Sequence, residues 1–244
     1  MSNFPEEYAY IRENLAAVRE RLAAAAARGG SPVPQLIAVT KSATDEEVSA
    51  LLDLGIEAIA ENRAQLFRAR ADLIEAHRFP EGQTPPKIHL IGSLQTNKVK
   101  YVVGRAAMIQ SLDSQRLAEA LEAQACKRGV TVPVLIEVNS GRGEQKGGLM
   151  PEEVEAFAEA LAAYPHLTAV GLMTMGPDCE EPEGYRPYFR LVRELAETLA
   201  ARGLLPTPPV LSMGMSGSYE IAAEEGATHV RVGRSLFHRP EVNE

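Results

Sequence analysis

The sequence predicts an α/β protein built as one (β/α)8 barrel, the TIM architecture, with an extra helix ahead of it. Three observations carry that expectation. Eight short apolar runs of β type alternate with amphipathic helical runs. Several of these runs, such as Leu135-Ile136-Glu137-Val138, are apolar almost throughout, as in parallel strands covered on both faces. A glycine stands between helix and strand at Gly55, Gly104, Gly129, Gly203 and Gly226, where a left-handed helix end is easiest for glycine. Eight such units in 244 residues match the roughly 250 residues that a closed barrel takes, so residues 1–244 read as a single domain. A doubly wound open sheet is the alternative.

The elements follow in order. Tyr8, Ile11, Leu15, Val18 and Leu22 repeat at a three-four spacing and predict one apolar stripe on a leading helix that stops at Gly29-Gly30. Strands are expected over Gln35–Thr40, Glu57–Ala60, Lys87–Ile91, Ala107–Ser111, Val132–Asn139, Leu167–Met173, Pro209–Ser212 and Thr228–Val232. Thr44 and Glu47 have the capping-box spacing at the head of the helix after the first strand. Val154, Phe157, Ala158 and Leu161 mark one later helix, and Phe189, Val192, Leu195, Ala196 and Leu199 another. The acidic, proline-bearing Glu180–Pro187 reads as a loop over the barrel mouth, and Gly141–Gly148 as a mobile loop after the fifth strand.

Composition narrows the function. The net charge is −8 and no basic face stands out, which argues against nucleic acid. No apolar run approaches the roughly 18 residues of a membrane span. Two cysteines, Cys126 and Cys179, are too few for a disulfide framework and suit a reducing, cytoplasmic setting. The five histidines lack metal-motif spacing, so no metal site is expected.

In a parallel barrel the reacting groups sit where strands end. The first strand closes on Val39-Thr40-Lys41. A lysine there is either solvated or, if buried, a source of the neutral amine that attacks a carbonyl. After the seventh run comes Ser212-Met213-Gly214-Met215-Ser216-Gly217, and after the eighth Arg231-Val232-Gly233-Arg234. Barrels often hold phosphate with these two loops and a helix start. Turn geometry explains the glycines as well, and an ordinary N-cap explains Ser216. The combination of the lysine with such a cup is the informative feature.

Several segments, in order along nearly the whole chain, resemble the pyridoxal phosphate homeostasis protein family, relatives of the alanine racemase N-terminal barrel. They are Leu36–Lys41, Glu61-Asn62, His89–Lys98, Gly171–Met173, Leu211–Ser216 and Val230–Gly233. The resemblance implies pyridoxal 5′-phosphate as cofactor, carried as a Schiff base on Lys41. It implies that Ser216, Gly233 and Arg234 hold the phosphate, that Arg231 faces the pyridine nitrogen, and that Asn62 lies near the ring. Gln95, Asn97 and Lys98 read as mouth residues without an assigned role. The sequence departs from the family pattern at Ala60, Ser218-Tyr219 and His238.

The racemase relatives add a β-rich domain that supplies an opposing base, and two-base racemisation needs one. A cation at the ring nitrogen also weakens the cofactor as an electron sink. The expectation is therefore a non-catalytic carrier in vitamin B6 and amino-acid homeostasis, a monomer or weak dimer, with apo pyridoxal-phosphate enzymes as partners. The alternatives are an amino-acid racemase or Schiff-base aldolase, and a phosphate-binding barrel in which Lys41 is incidental.

Overall fold

The computed structural model describes residues 4–239. Strands β1 (Gln35–Val39), β2 (Ala58–Glu61), β3 (Lys87–Leu90), β4 (Met108–Leu112), β5 (Val132–Glu137), β6 (Leu167–Met173), β7 (Val210–Ser212) and β8 (His229–Val232) form a closed parallel barrel in sequence order. Closure pairs Ile37 with Arg231 and Ala38 with Val232. Every predicted run is a strand, with its ends moved by two residues at most.

Helices α1 (Ala9–Gly29), α2 (Asp45–Asp53), α3 (Ala64–Ala76), α4 (Gln115–Arg128), α5 (Val154–Ala160), α6 (Arg186–Ala201), α7 (Tyr219–Glu224) and α8 (Arg234–Phe237) surround it. The stripe on α1 buries Ile11, Leu15, Val18 and Leu22, and the helix packs on α7 and α8. Each such aliphatic side chain contributes about 1.5–3 kcal/mol by leaving water. The chain leaves α1 through Gly30 at φ +66°.

Both halves of the capping box form at α2: Thr44 Oγ1 accepts from the Glu47 amide at 3.2 Å, and Glu47 Oε2 accepts from the Thr44 amide at 2.9 Å. All five predicted helix-ending glycines have positive φ. Between β3 and β4 a short 3-10 turn, Thr96–Tyr101, stands in for a helix. Glu180–Pro187 is not a plain loop, because Pro182–Tyr185 forms a 3-10 turn that runs straight into α6 at Arg186. Proline at an early helical position, with its fixed φ, suits that start.

Strand alternation divides the core in two. Val230 and Val232 join the large apolar layer between strands and helices, whereas Ile37, Val39, Ala58 and Ala60 form a separate small cluster inside the barrel. The rest of the interior is polar for a barrel of this size: His89, Gln110, Ser212 and Arg231 are all buried.

Candidate functional site

Lys41 follows β1 and its side chain is exposed, so the buried, desolvated lysine admitted by the sequence is not what is found. The backbone on either side of it is fixed instead. Buried Arg70 of α3 donates to the Ala43 carbonyl at 2.5 Å and the Thr40 carbonyl at 3.4 Å, and it pairs with Asp45 and with Glu61 at 3.3 Å. Thr40 Oγ1 donates to the same Glu61 oxygen at 2.6 Å. Burial pushes the Glu61 carboxyl up, while Thr40 and Arg70 pull it down. Just after β2, Asn62 Oδ1 is buried without a partner. A Cβ at Gly92 would lie 2.2 Å from the Asn62 carbonyl oxygen, so only glycine allows β3 to end so close.

The loops after β7 and β8 meet at Ser216. Its hydroxyl accepts from the amides of Gly233 and Ser235, both at 3.3 Å, rather than capping α7, which starts later under Ser218. A Cβ at Gly233 would sit 3.0 Å from the Val39 carbonyl oxygen, which is why this turn can lie against the end of β1. Arg234 is exposed.

Arg231 is 2% exposed and is a hub. It donates to Ser212 Oγ at 2.7 Å and to the Thr174 carbonyl at 2.8 Å. Ser212 donates onward to Gln110 Oε1 at 2.6 Å, and the Gln110 amide nitrogen meets His89 Nδ1 at 2.9 Å. Burial pushes the Arg231 guanidinium down to about 10, and Glu137 opposes the shift. It remains a cation at neutral pH, with its Nε buried and unpaired. Burial pushes His89 down to about 3 and His229 to about 4, so both are neutral rings.

All six sequence-predicted residues, Lys41, Asn62, Ser216, Arg231, Gly233 and Arg234, line one cavity of about 440 Å³ at the C-terminal mouth of the barrel. Gln95 and Asn97 are exposed, and neither they nor Lys98 lines it. The sequence reading missed Glu137, whose carboxyl faces this cavity and is pushed up to about 7 by burial and by Asp113. Ending the fifth run at Glu137 instead of Asn139 would have marked it as a strand-closing polar residue. The 141–148 segment is pinned by Asn139, which bonds the Gly143 amide and carbonyl and the Lys146 carbonyl. Among the described residues no three His, Cys, Asp or Glu side chains gather to hold a metal, and no helix is long and apolar enough to cross a membrane.

Residues 13–240 match the alanine racemase N-terminal domain family. A pyridoxal phosphate homeostasis protein of Aquifex aeolicus is 39% identical, over 92% of this chain and 96% of its own. A crystal structure of a Bifidobacterium adolescentis protein superposes with TM-score 0.85 at 33% identity, covering 94% of this chain and 95% of that one. PipY of Synechococcus elongatus, solved with PLP bound, gives TM-score 0.78 at 30% identity over 93% of this chain and 99% of its own. With the fold, the strand-end residues and these likenesses in agreement, the chain belongs to the pyridoxal phosphate homeostasis protein family, on a barrel of the alanine racemase N-terminal type.

Proposed function

We propose that this protein binds pyridoxal 5′-phosphate at the barrel mouth as a Schiff base on Lys41 and serves as a cytosolic carrier that passes the cofactor to apo-enzymes without turning over amino acids. The observation that carries this reading is the convergence of an exposed amine, a buried cation and a loosely bonded backbone donor at Gly233 on one cavity. The donor set suits the cofactor. The Gly233 and Ser235 amides bond only a serine hydroxyl, at a loose 3.3 Å, and are available to a phosphate. Arg231 Nε and Asn62 Oδ1 are buried polar atoms awaiting partners. PLP occupies the relative from Synechococcus elongatus.

When bound, the cofactor supplies an aldehyde carbon that forms reversible imines and a ring that draws electrons from it. Lys41 holds the aldehyde end, and Arg70 keeps its backbone in place. Ser216, Gly233 and Arg234 hold the phosphate end, and Asn62 borders the ring. Arg231, fixed by Ser212 and Thr174, presents a permanent cation to the ring nitrogen, which disfavours protonation there and weakens the electron sink.

The test is solvent deuterium incorporation at the α-carbon of several L-amino acids, run beside transfer of cofactor to an apo pyridoxal-phosphate enzyme. Transfer without exchange is expected. Exchange at about 1 s⁻¹ or faster, within ordinary enzyme turnover, overturns the carrier reading. That outcome would favour a second reading, an amino-acid racemase, for which Glu137 offers an acid/base group inside the cavity.

A further inference from the structure

Four buried polar side chains form a line across the barrel interior. Arg231 of β8 donates to Ser212 of β7 at 2.7 Å, Ser212 to Gln110 of β4 at 2.6 Å, and Gln110 to His89 of β3 at 2.9 Å. The first and last links join neighbouring strands, and the middle one spans the barrel, since β7 and β4 are not adjacent. All four residues are at most 2% exposed. Barrel interiors are ordinarily filled by branched aliphatic side chains, and a buried cation on polar partners is often no more stable than an apolar filling of the same volume. Stability therefore does not account for the line.

Each link has one direction. A guanidinium only donates, so Ser212 Oγ accepts from Arg231 and its own hydrogen goes to Gln110 Oε1. The Gln110 amide nitrogen then faces His89, whose Nδ1 accepts and whose proton sits on Nε2. A reversed amide would leave the Ser212 hydrogen without an acceptor among the described residues. Burial above all, then His229 and Lys87, keeps the His89 ring uncharged, as this link requires. The other partners of Arg231 are the Thr174 carbonyl at 2.8 Å and the Met175 sulfur at 3.6 Å. Its hydrogen-bond partners are thus all neutral, which fixes the guanidinium without spending its charge on a carboxylate. A serine hydroxyl alone could not fix it, because it turns about its C–O bond. Accepting from Arg231 while donating to Gln110 removes that freedom, and His89 stops the Gln110 amide from turning over.

We propose that Gln110 and His89 are positioning residues for Arg231, and that the line they form makes the mouth cavity select a ligand with an unprotonated aromatic ring nitrogen over one with a C–H at that place. Arg231 lines the mouth cavity, and its Nε is a buried donor without a partner among the described residues. A donor held in one orientation rewards an acceptor and is left unpaired by a C–H, which is how a buried polar group creates selectivity. This role rests on the cofactor reading, in which Arg231 meets the pyridine nitrogen. Neither Gln110 nor His89 lines the cavity, so each acts only through Ser212 and Arg231.

The test titrates the cofactor-free protein with pyridoxal 5′-phosphate and with its 1-deaza analogue, in which a C–H replaces the ring nitrogen. The wild type should bind pyridoxal phosphate about ten-fold or more tightly than the analogue, as expected for one hydrogen bond from a charged donor. Gln110→Met keeps the length of the side chain and removes both of its links. It should bring the two ligands within about three-fold of each other by weakening pyridoxal phosphate while the analogue binds as before. His89→Leu, which frees the Gln110 amide, should narrow the preference in the same direction. Should Gln110→Met fail to fold, His89→Leu decides alone. The proposal is overturned if the folded variants keep the wild-type preference, or if they weaken both ligands alike, as a line that serves packing alone would do. A wild type that binds both ligands equally removes Arg231 from the ring nitrogen and sinks the proposal with it. Both ligands carry the aldehyde, so labelling of Lys41 on borohydride reduction is read separately, and its absence in the wild type sinks the cofactor reading instead.

Discussion

Lys41 owes its placement to its neighbours, because its own side chain reaches into solvent while Thr40, Ala43 and Asp45 are tied to Arg70. Lys41→Ala should therefore abolish covalent cofactor attachment and leave the unfolding free energy within about 0.5 kcal/mol of wild type, as for other exposed positions. Ser216→Ala should weaken pyridoxal phosphate more than pyridoxal. A hydrogen bond to a charged phosphate is worth about 1.5–3 kcal/mol. Equal weakening in parallel titrations would show that Ser216 does not meet the phosphate. Lys41 was legible as a polar group just past an apolar strand, and Ser216 by its place in the loop after the seventh strand together with the family resemblance. Glu137 and the chain from Arg231 through Ser212 and Gln110 to His89 were not. Their meaning depends on which residues of different strands share the barrel interior, and that is set by register rather than by any local pattern.

At the scale of elements, the local rules that worked are the ones with a backbone mechanism. The capping box at Thr44 and the glycine helix ends are satisfied by a few neighbouring residues, so the sequence announces them. The short α7 and the 3-10 turn between β3 and β4 are not announced, since packing against neighbours decides how much helix survives there. Gly214 and Gly203 separate backbone strain from packing. Both have positive φ, but a Cβ at Gly214 would lie 2.5 Å from Ala222 Cβ, whereas one at Gly203 meets nothing within 4 Å. Gly203→Ala should cost about 1 kcal/mol from the left-handed backbone alone. Gly214→Ala should cost about 1–3 kcal/mol more from overpacking. Urea unfolding of the two variants checks this, and equal losses would contradict the close approach of α7 to the β7 loop.

For the whole molecule, the polar barrel interior makes stability depend on pH in two opposed ways. His89 and His229 stay neutral in the fold down to about 3 and about 4. Their contribution is present above the ordinary histidine pKa and is lost as pH falls, because the unfolded chain takes up the protons first. Glu137 has the opposite sign: its folded pKa is raised to about 7, so its contribution is present below 4.5 and lost as pH rises through 7. Glu137→Gln should therefore stabilise the protein at pH 8 relative to pH 4.5, by something on the order of 3 kcal/mol. Denaturant titrations at the two pH values read this directly, and a difference independent of pH would mean that Glu137 is not desolvated.

Covalent attachment at Lys41 is the claim on which the functional account stands, and it is open to one direct measurement. The protein is incubated with pyridoxal 5′-phosphate, reduced with borohydride, weighed intact by mass spectrometry and digested for peptide mapping. The account predicts a yellow solution that bleaches on reduction, and one phosphopyridoxyl group on the peptide containing Lys41. No adduct, or labelling mainly at Lys98 or Lys146 with Lys41 unmodified, would contradict it.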